Sequence, residues 1–96
     1  MIIPVEYSLI KGGIVNFTRY LATFYVQHDI RVNVVCPHGV SNLQDKKFVK
    51  KYKHLTSFRR IATPLDMAGQ VLFLCSDAAS NITGQVLMVD GGWSVW

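Results

Sequence analysis

Tyr7 is the only one of the four tyrosines that is followed four residues later by a lysine, Lys11. In a helix, that spacing places the phenol and the ammonium on one face. A free phenol has a pKa near 10, which is too high for easy proton exchange at neutral pH. An ammonium about 4 Å away, at an effective dielectric constant near 20, favours a phenolate by about 4 kcal/mol and brings a phenol pKa towards about 7. The pair therefore suggests proton transfer to a carbonyl oxygen or from an alcohol.

A Tyr and a Lys one turn apart are also common on solvated helix faces, so the pair needs support from the elements around it. Apolar residues at spacings of three and four predict a first helix from about residue 8 to residue 28: Ile10, Ile14, Phe17, Leu21 and Phe24. Further apolar positions around this helix predict cover on more than one side, by a sheet and by another helix or a partner subunit. Gly12 and Gly13 each cost roughly 1 kcal/mol inside a helix, so they suggest close backbone packing.

Two short apolar runs predict strands. The run IRVNVVC, residues 30–36, is rich in β-branched residues and nearly continuous in apolar character, as is typical of a strand buried on both faces of a parallel sheet. It ends at Pro37-His38-Gly39. The run QVLMVD, residues 85–90, is followed by Gly91-Gly92. Both strands are thus expected to end in turn-forming residues.

Two helices are predicted between the strands. Residues 45–54 form a short basic amphipathic segment, and Thr63 to Asp66 combine a hydroxyl N-cap, a proline and an acidic residue in a capping-box pattern that starts a helix ending near Ser76. A long helical crossover favours parallel pairing of the two strands. The order helix, strand, helix, helix, strand therefore predicts an α/β fold, although two strands alone make a poor sheet.

Composition sets further limits. The chain is 50% hydrophobic and 17% charged, which indicates a folded protein. The net charge of +4 is concentrated in the run KKFVKKYKH, which is expected to be a solvated helix face; with no recognised binding module, a nucleic-acid role is not expected. Cys36 and Cys75 lie in apolar runs without metal-type spacing, so free buried thiols, no metal site and a reducing cytoplasm are expected. No long apolar segment indicates export or membrane insertion.

Four motifs occur together in one order: YSLIKGG, RVNVVCPHGV, RIATPLDMA and SDAASNITGQVLMVDGG. Over essentially its whole length the chain resembles the short-chain dehydrogenase/reductase family. In that family, a Tyr-x-x-x-Lys helix follows the fifth strand, an Asn-containing strand ends in a Pro-Gly bend, and Asp-Gly-Gly follows the last strand. The resemblance implies the C-terminal part of a Rossmann-like doubly wound parallel sheet. Residues 1–96 would form a single partial domain that lacks the N-terminal dinucleotide-binding half.

The resemblance also implies roles for individual residues. Tyr7 would be the general acid and base, and Lys11 would favour its ionised form and hydrogen-bond the nicotinamide ribose. The nicotinamide pocket of NAD or NADP would be lined by Tyr7, Lys11, Pro37, His38, Gly39 and Val40. The family's bend normally has glycine where this chain has His38, so the bend is expected to be damaged or adapted, with a substrate contact or a titrating group as the alternatives. Asn33 is expected to be a structural amide satisfied by neighbouring backbone.

The family's Gly-rich phosphate loop, ribose selector and catalytic serine all precede the tyrosine, so tight NAD(P) binding by this chain alone is not expected. The leading hypothesis is an oxidoreductase that transfers a hydride between NAD(P) and a small carbonyl or alcohol substrate, with a sugar derivative as one candidate. The segments PHGVSNLQDKKFVKKY and VDGGWSVW most resemble enzymes of bacterial surface-sugar and flagellin-glycan pathways. The alternative is a noncatalytic fragment or gene remnant that binds no cofactor. Either way, a homo-oligomer formed through the first helix and last strand is expected.

Overall fold

The computed structural model describes residues 3–96 and confirms the predicted order of elements. The helices are α1 (Val5–Tyr25), α2 (Lys46–Lys53) and α3 (Pro64–Cys75), and the strands are β1 (Val34–Pro37) and β2 (Val86–Val89). Short 3-10 turns follow α1, α3 and β2 at Val26–His28, Asp77–Ala79 and Trp93–Val95. Within the described residues, no helix has the combination of length and apolar character needed to cross a bilayer.

Helix α1 begins three residues earlier than the apolar periodicity predicts. Pro4 is the N-cap, with an extended backbone (φ −55°, ψ 141°), and its carbonyl accepts the backbone N–H of Tyr7 at 3.0 Å. Tyr7 therefore lies in the first turn of the helix. At the other end, Asp29 adopts a left-handed conformation (φ 55°) and donates its N–H to the Val26 carbonyl, which ends the helical segment.

The two strands pair in parallel, as predicted, with Val34 opposite Val86 and Pro37 opposite Val89. Strand β1 is shorter than the apolar run that predicted it, because its first residues bond to a loop instead of a strand. The Asn33 side chain takes the place of backbone hydrogen bonds between strands at this point. Its Nδ2 donates to the Ile82 carbonyl at 2.9 Å, and its Oδ1 accepts the N–H of residue 85 at 3.0 Å. The expected structural role of Asn33 is confirmed.

The start of α3 has the predicted capping box. The Thr63 hydroxyl accepts the N–H of Asp66 at 3.3 Å, and the Asp66 carboxylate accepts the N–H of Thr63 at 2.7 Å. Arg60 adds two hydrogen bonds to the same carboxylate, at 2.7 and 3.1 Å. The Arg60 guanidinium and the bonds from Thr63 hold the pKa of Asp66 well below its usual range. Asp66 therefore fixes both the helix start and the segment that precedes it.

The core within residues 3–96 is small. Only three apolar residues, Ala22, Ala62 and Ala79, are buried, together with Thr18 and Thr56. Although α1 and α3 both contact β1, that strand is only partly buried, so the predicted burial of the strand on both faces is not met by the described residues.

Both cysteines are free, but the prediction of two buried thiols is wrong for Cys75, which is exposed, while Cys36 is partly buried. The apolar run around Cys75 correctly indicated an apolar helix, but no described residue covers that side of α3. An apolar run predicts a helix face that can be buried, but that face is buried only when another element of the fold packs on it.

The apolar stripe of α1 is also largely uncovered. Ile10 and Phe17 are 60% and 58% exposed, whereas the residues that α1 does bury are the smaller Thr18 and Ala22. A Cβ placed on Gly12 or Gly13 would meet nothing within 4 Å, so the expected close packing at these glycines is absent among residues 3–96. The predicted cover on more than one side of α1 is therefore not supplied by the described part of the chain.

Candidate active site

A cleft of about 510 Å³ lies between α1, the carboxyl end of β1 and α2. It is lined by Tyr7, Lys11, Ile14, Val15, Val34, Val35, Cys36, Pro37, His38, Gly39 and Tyr52. The structure thus brings together every residue that the sequence assigned to the site except Val40. Residues separated by some thirty positions meet here because β1 runs beside α1 and delivers its carboxyl end next to the first turns of that helix.

Tyr7 and Lys11 stand on one face of α1 at the wall of this cleft. The Lys11 Nζ lies 5.5 Å from the centroid of the Tyr7 ring, within the range of a cation–π contact. The ammonium therefore sits over the ring face. Tyr7 is 52% exposed, and its hydroxyl makes no hydrogen bond with residues 3–96. A phenol that is open to the cleft and held beside a cation can exchange a proton with a bound molecule.

The bend after β1 forms the floor of the cleft. The His38 ring lies 5.5 Å from the Tyr52 ring, and its Nε2 is 3.5 Å from the Arg60 carbonyl oxygen. The other ring nitrogen, Nδ1, is buried and has no hydrogen-bond partner among the described residues. The imidazole thus packs between the bend and the loop before α3 while one edge still lines the cleft.

Val40 does not line the cleft. It forms an isolated parallel bridge with Ala62, next to a hydrogen bond from the Ala62 N–H to the Gly39 carbonyl at 3.1 Å. The Gln44 side chain donates to the Val40 carbonyl at 2.6 Å. These contacts tie the bend to the segment that enters α3, which gives Val40 a structural place beside the bend.

Tyr52 of α2 is the cleft residue that sequence reasoning did not assign to the site. Its hydroxyl accepts the backbone N–H of Gly39, and a Cβ placed on Gly39 would lie 2.7 Å from the Tyr52 ring. The ring also packs against Trp93 and Phe48, at centroid distances of 4.9 and 5.5 Å. The only sequence signal was the position of Tyr52 on the apolar side of a basic helix, and that pattern does not reveal a contact thirteen residues away.

The surroundings of Tyr52 shift its pKa upwards. Burial raises the pKa of Tyr52, and electrostatic interactions with Asp90 and Tyr7 act in the same direction, against the hydrogen bond from Gly39. The effect of Tyr7 on this pKa reflects the location of the two phenols in one cleft. Two tyrosine hydroxyls therefore face the same space, and only that of Tyr52 is engaged by a backbone group.

The outer face of α2 carries the basic patch. Of its eight residues, only Val49 and Tyr52 are partly buried, and the five lysines are exposed. The lysines therefore form the solvated face that the sequence predicts.

A second cleft of about 350 Å³ lies at the carboxyl end of β2, on the other side of His38. There the Asp90 carboxylate accepts the N–H groups of Gly92 and Ser94, both at 3.0 Å. Hydrogen bonds from Ser94 are the largest influence lowering the pKa of Asp90, with smaller effects from Gly92 and His38. Asp90 thus fixes the turn that follows β2. No group of three or more metal-ligating side chains occurs among residues 3–96.

A family model described as enoyl-(acyl carrier protein) reductase matches residues 4–94. A short-chain dehydrogenase from Leptospira borgpetersenii serovar Hardjo-bovis, solved with bound NAD+, is 38% identical with a TM-score of 0.90, covering 95% of this chain and 36% of that one. The chain belongs to the short-chain dehydrogenase/reductase family. The predicted fold class, part of a Rossmann-like α/β sheet, is thereby confirmed.

Relatives in this dehydrogenase/reductase family carry different names. The post-translational flagellin modification protein A of Campylobacter coli is 36% identical over 90 residues, covering 94% of this chain and 35% of the relative. A 3-oxoacyl-[acyl-carrier-protein] reductase of Aquifex aeolicus is 37% identical over 92 residues, covering 92% of this chain and 37% of the relative. The chain thus spans about a third of the length of these curated relatives. The predicted resemblance to proteins of flagellin modification is confirmed as a family relationship, because such a protein is among these relatives.

Proposed function

We propose that this chain supplies the proton-transfer residues of an oxidoreductase that moves a hydride between NAD or NADP and a small carbonyl or alcohol substrate, for which a sugar derivative is one candidate. The observation that carries the proposal is the cleft in which Tyr7 and Lys11 stand beside the bend at Pro37 to Gly39. Structural relatives with bound NAD+ and with NADH support a nicotinamide as the cofactor.

In this function Tyr7 is the group that donates and accepts the proton. During reduction of a carbonyl, the Tyr7 hydroxyl donates a proton to the carbonyl oxygen, which becomes the hydroxyl of the alcohol. In the reverse direction, oxidation of an alcohol, the Tyr7 phenolate accepts the proton of the alcohol hydroxyl. When bound, the nicotinamide supplies the hydride to the carbonyl carbon or removes it from the alcohol carbon. Lys11 stabilises the phenolate, and its flexible four-carbon stem allows the ammonium to approach the phenolate oxygen from its place over the ring.

The described residues fit a nicotinamide only in part. Tyr7 and Lys11 are exposed to the cleft, and their side chains make no hydrogen bonds with residues 3–96. At the bend, however, the Gly39 N–H is engaged by the Tyr52 hydroxyl, and the Tyr52 ring fills the space over Gly39. The proton-transfer side of the cleft is open, whereas the bend is covered.

Replacing Tyr7 by phenylalanine tests the proposed role. In an enzyme where this chain is joined to or paired with a nucleotide-binding segment, Tyr7→Phe should lower turnover by about 10²- to 10⁴-fold, because only the transferable proton is lost. Cofactor affinity should stay nearly unchanged. The matched control is Tyr20→Phe, an exposed tyrosine of the same helix that does not line the cleft. Nicotinamide absorbance measures turnover, and full activity in Tyr7→Phe would contradict the role.

We also propose that additional polypeptide completes the site and covers α1. The exposed aromatic residues of α1 support a second copy as cover, and the greater length of the relatives supports a phosphate-binding half outside residues 1–96. The chain alone should accordingly not bind NADH at micromolar concentrations in a fluorescence titration, and it should be a dimer or larger by light scattering. Micromolar binding would refute the first expectation, and a monomer the second. The free state of both cysteines supports a cytoplasmic location.

A further inference from the structure

A groove of about 270 Å³ lies along α2 and the loop that precedes it. It is lined by Gln44, Lys46, Val49, Lys50 and Lys53, and it shares no residue with either cleft. A helix turns by about 100° per residue, so Lys50 lies nearly opposite Tyr52, the residue of α2 that lines the cleft of Tyr7. A molecule in the groove therefore does not contact the proton-transfer residues.

The groove is positively charged and contains no acidic side chain. Three of its five lining residues are lysines, and all three are exposed. No lysine of α2 forms an ion pair within residues 3–96, where the single carboxylate–cation pair joins Arg60 to Asp66. Asp45 precedes α2 directly, but it does not line the groove. The charge of the groove is thus not neutralised by any described residue.

The lysines of α2 stand at positions where they destabilise the helix. Lys46 and Lys50 are one turn apart, as are Lys47 and Lys51, and like charges at that spacing repel each other. The helix dipole also disfavours the two lysines of the first turn, Lys46 and Lys47. An anion between Lys46 and Lys50 offsets both effects. The N-terminus of α2, which has no side-chain cap, adds its positive partial charge at the same end.

The loop before α2 gives the groove an ordered edge. The Gln44 side chain donates to the Val40 carbonyl and accepts the N–H of Asn42, both at 2.6 Å. Because both polar ends of this amide are engaged, Gln44 shapes the groove while the lysines supply its charge.

We propose that the groove is a binding site for the phosphate group of a soluble ligand, held by Lys46, Lys50 and Lys53. Lysine ammonium groups are point charges that suit phosphate oxygens from several directions. The volume lies below the range of about 300–1,000 Å³ that is typical of pockets enclosing a whole drug-sized ligand, so the groove suits the charged end of such a molecule. This site is additional to the proposed function and does not depend on it.

Pyrophosphate is the probe, because it carries the charge of a diphosphate without the rest of a ligand. Added at millimolar concentrations to the full 15N-labelled chain at low ionic strength, it should shift the backbone amide resonances of the groove residues. Sodium chloride should weaken this binding by screening the charges. In the double variant Lys46→Gln/Lys50→Gln the dissociation constant should rise about five- to twentyfold, because each exposed ion pair contributes up to about fivefold in affinity.

The matched control is the double variant Lys47→Gln/Lys51→Gln. It removes the same charge from the same helix, at exposed residues that do not line the groove. Its dissociation constant for pyrophosphate should rise by less than about threefold, since only longer-range, screened attraction is lost. All four substitutions are at exposed positions, so both variants should fold, and far-ultraviolet circular dichroism checks this.

Three results would overturn the proposal. The first is the absence of any shift of the groove amides with pyrophosphate. The second is equal weakening in the two double variants, because α2 then attracts anions through its total charge and not through the groove. The third is sedimentation of the chain with phosphatidylcholine vesicles that contain phosphatidic acid, without binding of pyrophosphate, because the phosphate is then a lipid headgroup. The turnover measurement on Tyr7→Phe tests the proposed function separately, since Tyr7 does not line the groove.

Discussion

Asn33 should control both the stability of the sheet and the register of its two strands. Its amide forms two hydrogen bonds, of 2.9 and 3.0 Å, with the backbone just before β2. Each bond contributes about 1 kcal/mol net, so Asn33→Ala should lower the free energy of unfolding by about 2 kcal/mol. For a domain of this size, that loss corresponds to a midpoint of thermal unfolding lower by roughly 8–16 °C. The register of Val34 opposite Val86 loses its anchor at the same time.

Thermal unfolding followed by far-ultraviolet circular dichroism measures the effect. The matched control is Asn81→Ala, because Asn81 is exposed and its side chain makes no hydrogen bond within residues 3–96; its midpoint should change little. Asn33→Asp keeps the acceptor for the N–H of residue 85 but places a carboxylate oxygen against the Ile82 carbonyl, so it should also destabilise the fold. A midpoint for Asn33→Ala equal to that of the control would refute the reasoning.

Three further predictions concern the loops around the two clefts. Thr63→Ala should lower stability by about 1 kcal/mol through loss of the N-cap, and Thr63→Ser should retain most of it; equal thermal midpoints for the two variants would contradict this. Because Arg60 holds the pKa of Asp66 below its usual value, the stabilisation by Asp66 should be fully present above about pH 4 and lost as the pH falls below that value. The thermal midpoints of the native protein and of Asp66→Asn should therefore converge at acid pH. A difference between the two midpoints that stayed constant with pH would contradict this role of Asp66. Gly92→Ala should destabilise by about 1–3 kcal/mol, since Gly92 has φ +83° and a Cβ would lie 2.5 Å from the Ser57 hydroxyl; an unchanged melt would show that the turn relaxes.

The order of elements could be predicted because each is signalled locally. The spacing of apolar residues in α1, the capping box at Thr63 and the run before Pro37 each depend on neighbours within a few positions, and all three correspond to elements of the structure. The parallel pairing followed from the length of the crossover. The bounds were less accurate, because Pro4 starts α1 ahead of its apolar stripe and Asn33 replaces the first ladder bonds of β1.

The burial of side chains and the contact of Tyr52 with the bend could not be predicted in the same way. A pattern identifies the side of Phe17 or Cys75 as apolar, but the cover for that side comes from elsewhere in the fold, and residues 3–96 do not provide it. Tyr52 reaches Gly39 only because the loop after the bend returns α2 over the end of β1. Contacts of this kind depend on tertiary geometry, and the periodicity of α2 carries no trace of them.

The two functions that we propose for the cleft, proton transfer and cofactor binding, depend on different parts of the structure and can therefore be tested separately. The bend is fixed by hydrogen bonds from backbone and side chain, because the Gly39 carbonyl accepts the Ala62 N–H and the Val40 carbonyl accepts the Gln44 side-chain amide. Tyr7 and Lys11 instead stand on the first turns of an exposed helix, outside that network. A change at Gln44 should therefore act mainly on the position of the bend and on cofactor affinity, whereas changes at Tyr7 should act on proton transfer. A Gln44→Ala variant that abolished turnover while leaving NADH affinity unchanged would contradict this division.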